Sequence, residues 1–156
     1  EVVLDRPLGY GVYTFRLDSR VDDLNYNTIF AGFLFDTSGQ EFDMEFSKFL
    51  ANPHNAQYVV QPWYLPGNIE FYDMPDSAHT SFSIDWRSDH LTFTSWLGHA
   101  QTPEPNTLIH VWTYTGADIP TPSDARWRLN LYLANGDPPS QGQGDEVIIA
   151  SFAYSP

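Results

Sequence analysis

Gln40-Glu41-Phe42-Asp43-Met44-Glu45-Phe46 alternates acidic and apolar residues from Glu41 onward without a break. Side chains on a β-strand point to opposite faces with period 2. A strand here therefore puts Glu41, Asp43 and Glu45 on one face and Phe42, Met44 and Phe46 on the other. A slip of one residue would bury three acids, so the phenylalanines and the methionine must pack inward and the acids must line an open surface.

Outward from this segment the same alternation recurs, with turn-forming clusters about every 8 to 12 residues, the pattern of a sandwich or barrel. Ten strands are expected, over 11–17, 28–35, 40–48, 56–61, 69–72, 80–86, 91–97, 108–114, 126–133 and 146–154. The connectors carry the chemistry of turns: Thr37-Ser38-Gly39, Leu65-Pro66-Gly67, Thr102-Pro103-Glu104-Pro105, Pro120-Thr121-Pro122 and Asn135-Gly136-Asp137-Pro138-Pro139. The stretch 135–145 is the longest expected to lack regular structure. No repeat and no helical period stands out, so the reading is all-β: one β-sandwich domain over 1–156, built from two antiparallel curved sheets.

A chain of 156 residues is long enough to bury roughly two thirds of its unfolded surface around one core. It has no cysteine, so no disulfide or thiolate metal site is expected, and its five histidines show no ligand spacing along the sequence. Twenty acidic residues against seven basic ones give a formal charge of -13. That field repels phosphate backbones and anionic membrane surfaces, so neither nucleic acid nor membrane is an expected partner. No segment is apolar for long enough to span a bilayer, and no leader is visible; the opening Glu1 reads as the start of a processed product or an excised domain. Aromatic residues make up 16% of the chain. Aromatic faces combined with acids suit a neutral, hydroxyl-rich ligand.

Three like charges at adjacent same-face positions, with no Lys or Arg between them, raise one another's proton affinity. A binding or catalytic role is one reason to tolerate this; a two-faced strand with a wet acidic side satisfies the spacing too. Retaining glycosidases need a carboxylate nucleophile and a carboxylic acid about 5 to 5.5 Å apart. Residues four apart on a straight strand have Cα atoms about 13 Å apart, so Glu41 and Glu45 must lean toward each other on a concave face. Asp43 would sit between them, holding the hydrogen bonds and charge balance that let Glu45 stay protonated while Glu41 is ionised.

Glu-Phe-Asp-Met-Glu-Phe resembles the signature of glycoside hydrolase family 16, jelly-roll enzymes that cleave β-glucans, galactans and xyloglucans with retention. Upstream, Tyr10-Gly11-Val12-Tyr13 followed by Phe15 and Arg16 resembles the strand before the catalytic one. Downstream, His79-Thr80-Ser81-Phe82-Ser83-Ile84-Asp85-Trp86 is similar to the family's His-Thr-Tyr to Asp-Trp segment. Ala117-Asp118-Ile119-Pro120 and Asn130-Leu131-Tyr132 resemble the segments ending in Asn-Leu-Trp in the lichenase and xyloglucan-transferase branch, which also has single residues between the acids. The resemblance implies a jelly roll with Glu41 as nucleophile, Asp43 as assisting acid and Glu45 as general acid/base. Family members normally have further strands before Tyr-Gly-x-Tyr; only 1–9 precede it here, so N-terminal strands are expected to be missing. The aspartate that helps hold calcium in lichenase-like members corresponds to Ser151, so no metal or other cofactor is expected.

A glycan cleft calls for aromatic platforms and for amide and carboxylate partners. Tyr132, at the position of the family's stacking tryptophan, and Asn130, of the same strand parity, are expected at the sugar. Gln57 and Gln61 share a face on the next strand, with Val59 between them. Trp63 is a candidate loop-borne platform, and Trp86 a candidate contact or core residue. Trp96, Trp112 and Trp127 are expected to be structural, and His79 a hydrogen-bonded strand-start residue. The expected activity is a retaining endo-glycosidase or transglycosylase on a neutral β-linked polysaccharide such as a β-1,3/1,4-glucan. A non-catalytic carbohydrate-binding module on the same fold is the alternative, and a structural or adhesive sandwich the third reading. The protein is expected to be a secreted or extracellular monomer whose partner is its polysaccharide or oligosaccharide substrate.

Overall fold

The computed structural model describes residues 1–48, 53–140 and 142–156. These form eleven strands: β1 Val2–Val3, β2 Gly11–Asp18, β3 Thr28–Phe35, β4 Glu41–Phe46, β5 Ala56–Val60, β6 Ile69–Tyr72, β7 His79–Trp86, β8 Leu91–Leu97, β9 Leu108–Tyr114, β10 Arg126–Leu133 and β11 Ile149–Ser155. The two-residue β1 was not anticipated, and β11 begins three residues later than expected. Ahead of β11, Ile148 is held outside the ladder: its N–H donates to Ser19 Oγ at 2.8 Å, its carbonyl accepts from Asp18 N–H at 2.9 Å, and the register shifts between Ile149 and Ser151. Within the expected loop 135–145, position 141 lies outside the described residues, and Ala134–Gly136 forms a short 3₁₀ turn. Among the described residues no helix is long and apolar enough to cross a membrane.

One sheet has the order β1-β10-β3-β4-β5-β6, the other β11-β2-β7-β8-β9, and every pairing is antiparallel. The acidic strand β4 is thus interior to its sheet, with β3 and β5 on its two sides. Phe42, Met44 and Phe46 are fully buried between the sheets. Phe42 meets the edge of Trp86 at 5.1 Å, and Phe46 packs against Phe30 at 5.8 Å and Phe82 at 4.9 Å. Each such burial contributes roughly 1.5 to 3 kcal/mol, so the apolar side of β4 fixes its register and leaves the acids no choice of face.

Gly32, directly opposite Met44, shows how tightly the sheets meet. A Cβ there would lie 2.9 Å from Phe15 and 3.1 Å from Trp127, ring atoms that are themselves buried in the packed core. Three polar groups in this core pair with one another: Ser95 Oγ contacts the Tyr58 hydroxyl at 2.6 Å and the Tyr72 hydroxyl at 2.9 Å. That satisfies groups whose burial alone would be unfavourable.

Candidate active site

Cross-strand partners in an antiparallel sheet share a face, so the register sets the surroundings of each acid. Asp43 lies between Phe33 on β3 and Val59 on β5, with Arg128 and Ile69 one strand further out. Glu45 lies between Ala31 and Gln57, in the same row as Asn130 and Phe71. Glu41 is opposite Phe35, and its carbonyl accepts the Gln61 N–H at 3.0 Å. The central acid therefore has apolar neighbours and the last acid an amide.

The consequences follow the neighbours. Asp43 is only 2% exposed although it faces away from the core. Burial above all, then the charges of Glu45 and Glu41, push its carboxyl well above the usual carboxylate range. It lies in hydrogen-bonding contact with Glu41 and Gln61, while its Oδ2 has no partner among the described residues. A carboxyl so placed holds its proton to higher pH than an exposed one and can share it with Glu41. Glu45 is also raised, mainly by burial and additionally by the Glu41 charge; the Gln57 side-chain amide, which donates to Glu45 Oε2, works in the opposite direction. On Tyr132, burial and then the charges of Glu45, Asp43 and Glu41 hold the phenol strongly in its neutral form, so this ring is within electrostatic reach of all three acids.

Glu41 and Glu45 line a groove of about 660 Å³ together with Gln57, Gln61, Trp63 and Tyr132. Asp43, between them on the strand, is buried. A second depression of about 720 Å³, bounded on its far side by Asp118, Ile119 and Pro120, shares Glu41, Gln61 and Trp63 with the first. The two make one trough past Glu41. Trp63 is 55% exposed at their junction, and its N–H is fixed by Gln61 Oε1 at 3.0 Å. Asn130 lies on the groove face one strand beyond Ala31.

Trp86 does not join these residues. It is fully buried on β7 of the opposite sheet, and its Nε1–H donates to the Pro120 carbonyl at 2.9 Å. The strand parity that turns Phe82 and Ile84 inward turns Trp86 inward too, so it supports Phe42 from behind and cannot stack on a ligand in the groove. Trp96 and Trp127 are buried, and Trp112 packs against Phe93 at 5.3 Å, in keeping with structural roles. The groove also contains Ile29 and Phe71, which sequence reasoning did not single out. Phe71 is opposite Gln57, a position visible only once β6 is paired with β5.

The opposed influences on Glu45 can be separated. Gln57→Met keeps the length of the side chain but removes the amide that lowers the Glu45 carboxyl. The pH above which Glu45 loses its proton is then expected to rise, an upward shift that a ¹³C NMR titration of the side-chain carboxyl reads directly. A Glu45 titration that stays put or moves down would contradict the influence given to Gln57.

No family model matches the sequence, and no curated protein matches it. Solved structures do. The chain is similar to a Bacillus licheniformis β-glucanase with a TM-score of 0.57 at 16% identity, covering 96% of this chain and 65% of that one. It is similar to the Crh5 transglycosylase in complex with NAG with a TM-score of 0.66 at 15% identity, covering 97% and 66%. A prokaryotic β-1,3-1,4-glucanase (lichenase) from a mouse hindgut metagenome gives a TM-score of 0.60 at 16% identity, again covering 97% and 66%. The chain thus spans about two thirds of the length of each of these proteins. Two antiparallel sheets in the order found here, superposable over nearly the whole chain on these proteins, make this a jelly-roll β-sandwich.

Proposed function

We propose that the chain is a retaining endo-glycosidase or transglycosylase acting on a neutral β-linked polysaccharide such as a β-1,3/1,4-glucan. One observation carries the reading: of three carboxylates on one face of an interior strand, Glu41 and Glu45 line an open groove with Asp43 buried between them, and burial raises the proton affinity of Asp43 and Glu45. A fold alone does not specify a reaction, but this constellation separates two acid roles. In the first step Glu45 protonates the glycosidic oxygen while the Glu41 carboxylate attacks the anomeric carbon, and the C–O bond to the leaving sugar breaks. In the second, Glu45, now a carboxylate, takes a proton from water or from a sugar hydroxyl, which displaces Glu41. Asp43 holds its proton against Glu41, so the nucleophile is oriented without a second full charge beside it.

Tyr132 and Trp63 offer ring faces for sugar C–H surfaces, and Gln57, Gln61 and Asn130 offer amides for hydroxyls. A polymer too large to cross a membrane would be met outside the cell, which supports a secreted protein; the proposed form is a monomer.

Trp63 and Tyr64 are 55% and 69% exposed beside the groove, which supports a second reading, a carbohydrate-binding module that retains glucan without cleaving it. Incubation with a panel of β-glucans and galactans discriminates. Release of new reducing ends, or transfer to a labelled acceptor oligosaccharide, is expected from the parent chain and not from Glu41→Gln. Retention on an insoluble glucan with neither product would replace the enzyme by the binding module.

A further inference from the structure

On the face of the sandwich opposite the groove, three side chains from separate segments converge. Asp18 ends β2, His79 begins β7 as its direct cross-strand partner, and His99 follows β8. Asp18 Oδ1 is 2.9 Å from His79 Nδ1 and 3.5 Å from His99 Nε2. Their candidate ligand atoms all lie within 4.8 Å of one another. The two imidazoles meet edge to face, with ring centroids 5.5 Å apart. The five histidines show no ligand spacing along the chain, yet strand pairing brings two of them and a carboxylate together.

We infer that Asp18, His79 and His99 form a binding site for a divalent transition-metal ion, with Zn²⁺ as the best fit. Metal–nitrogen and metal–oxygen distances of about 2.0 to 2.1 Å in a tetrahedron put the ligand atoms about 3.3 Å apart, and the two measured separations bracket that value. Two imidazoles and one carboxylate are a borderline donor set that suits zinc, whereas calcium takes six to eight oxygens. The Leu17 carbonyl, which accepts from His99 Nε2 at 2.9 Å, lies beside the site, and water can complete the coordination. Zinc takes the lone pairs of His79 Nδ1 and His99 Nε2, so each coordinated imidazole carries its proton on the other ring nitrogen.

The backbone holds this geometry in advance. Gly98 N–H donates to the His79 carbonyl at 2.8 Å, Ser81 Oγ–H donates to the Gly98 carbonyl at 2.6 Å, and Trp96 Nε1–H donates to the Ala100 carbonyl at 3.1 Å. His99 therefore sits in a turn pinned on both sides. The core separates the cluster from the groove, so the ion's role is to tie β2, β7 and the segment after β8 together, and it takes no part in bond cleavage.

The test is calorimetric titration of the chelator-stripped chain with ZnCl₂, paired with thermal melts. One saturable zinc per chain is expected, with a rise in Tm of about 5 to 10 °C at a hundredfold excess over Kd. CaCl₂ is expected to give no such rise. His79→Ala and His99→Ala alter exposed residues, so the metal-free variants should melt within about 2 °C of the parent. Each should bind zinc at least tenfold more weakly, and the double variant should show no saturable site. In the parent chain, the imidazole resonances of His79 and His99 should shift on zinc addition, a readout that needs no variant to fold. Absence of saturable binding, or a zinc affinity unchanged in the double variant, would overturn the site.

Discussion

Glu41→Ala is expected to lower glucan hydrolysis by roughly four to six orders of magnitude, the scale seen when a nucleophile is removed from a catalytic unit. The same variant should regain glycosyl transfer when given an α-glycosyl fluoride. The space left by the missing carboxylate admits the activated donor in the configuration of the lost intermediate, and Glu45 still takes the acceptor's proton. Glu45→Ala should behave differently. Substrates whose leaving groups need no protonation should keep measurable turnover, and azide should raise that turnover by attacking the glycosyl-enzyme without needing a base. Loss with both rescues assigns nucleophile and acid/base to two carboxylates of the same groove. Two variants inert toward activated donors, beside a parent chain that binds glucan uncut, would remove the enzyme reading.

The shared face of the residues in that experiment could be read directly from strand parity, while their separate roles are what the family resemblance implies. Acid-apolar alternation over Glu41–Phe46 admits one register, and the buried aromatics on the reverse face hold it. Strands Thr28–Phe35, Ile69–Tyr72, Leu91–Leu97, Leu108–Tyr114 and Arg126–Leu133 have the expected bounds because apolar periodicity and flanking turns agree there. Trp86 is the instructive miss. Its place beside Asp85 in a family-like segment suggested a sugar contact, yet Asp85 facing outward requires the next residue to face inward. The meeting of His79, His99 and Asp18 was not legible for a different reason. It depends on which strands pair, and nothing in the local sequence says that β2 lies beside β7. Asp43's isolation from water belongs to the same class, since Phe33 and Val59 come from the neighbouring strands.

That isolation leads to the second large effect. Asp43→Asn is expected to lower kcat by about a hundredfold while making the fold more stable at neutral pH. The sign follows from linkage: a carboxyl whose folded-state pKa is raised contributes most below its unfolded value of 3.8 and loses that contribution as pH rises through the folded value. Asparagine has nearly the same shape and no charge to desolvate, so it is free of that loss. The variant and the parent should therefore melt alike near pH 3, and the variant should gain at higher pH, with Tm higher by about 2 °C or more at pH 7 to 8. Activity should fall over the same range, because the amide cannot share a proton with Glu41 and the nucleophile loses its orienting acid. Thermal melts across pH, set beside kcat on one glucan, test both halves. A variant less stable than the parent at pH 8 would mean that Asp43 is ionised in the folded chain, and one equally active would mean that its carboxyl does not orient Glu41.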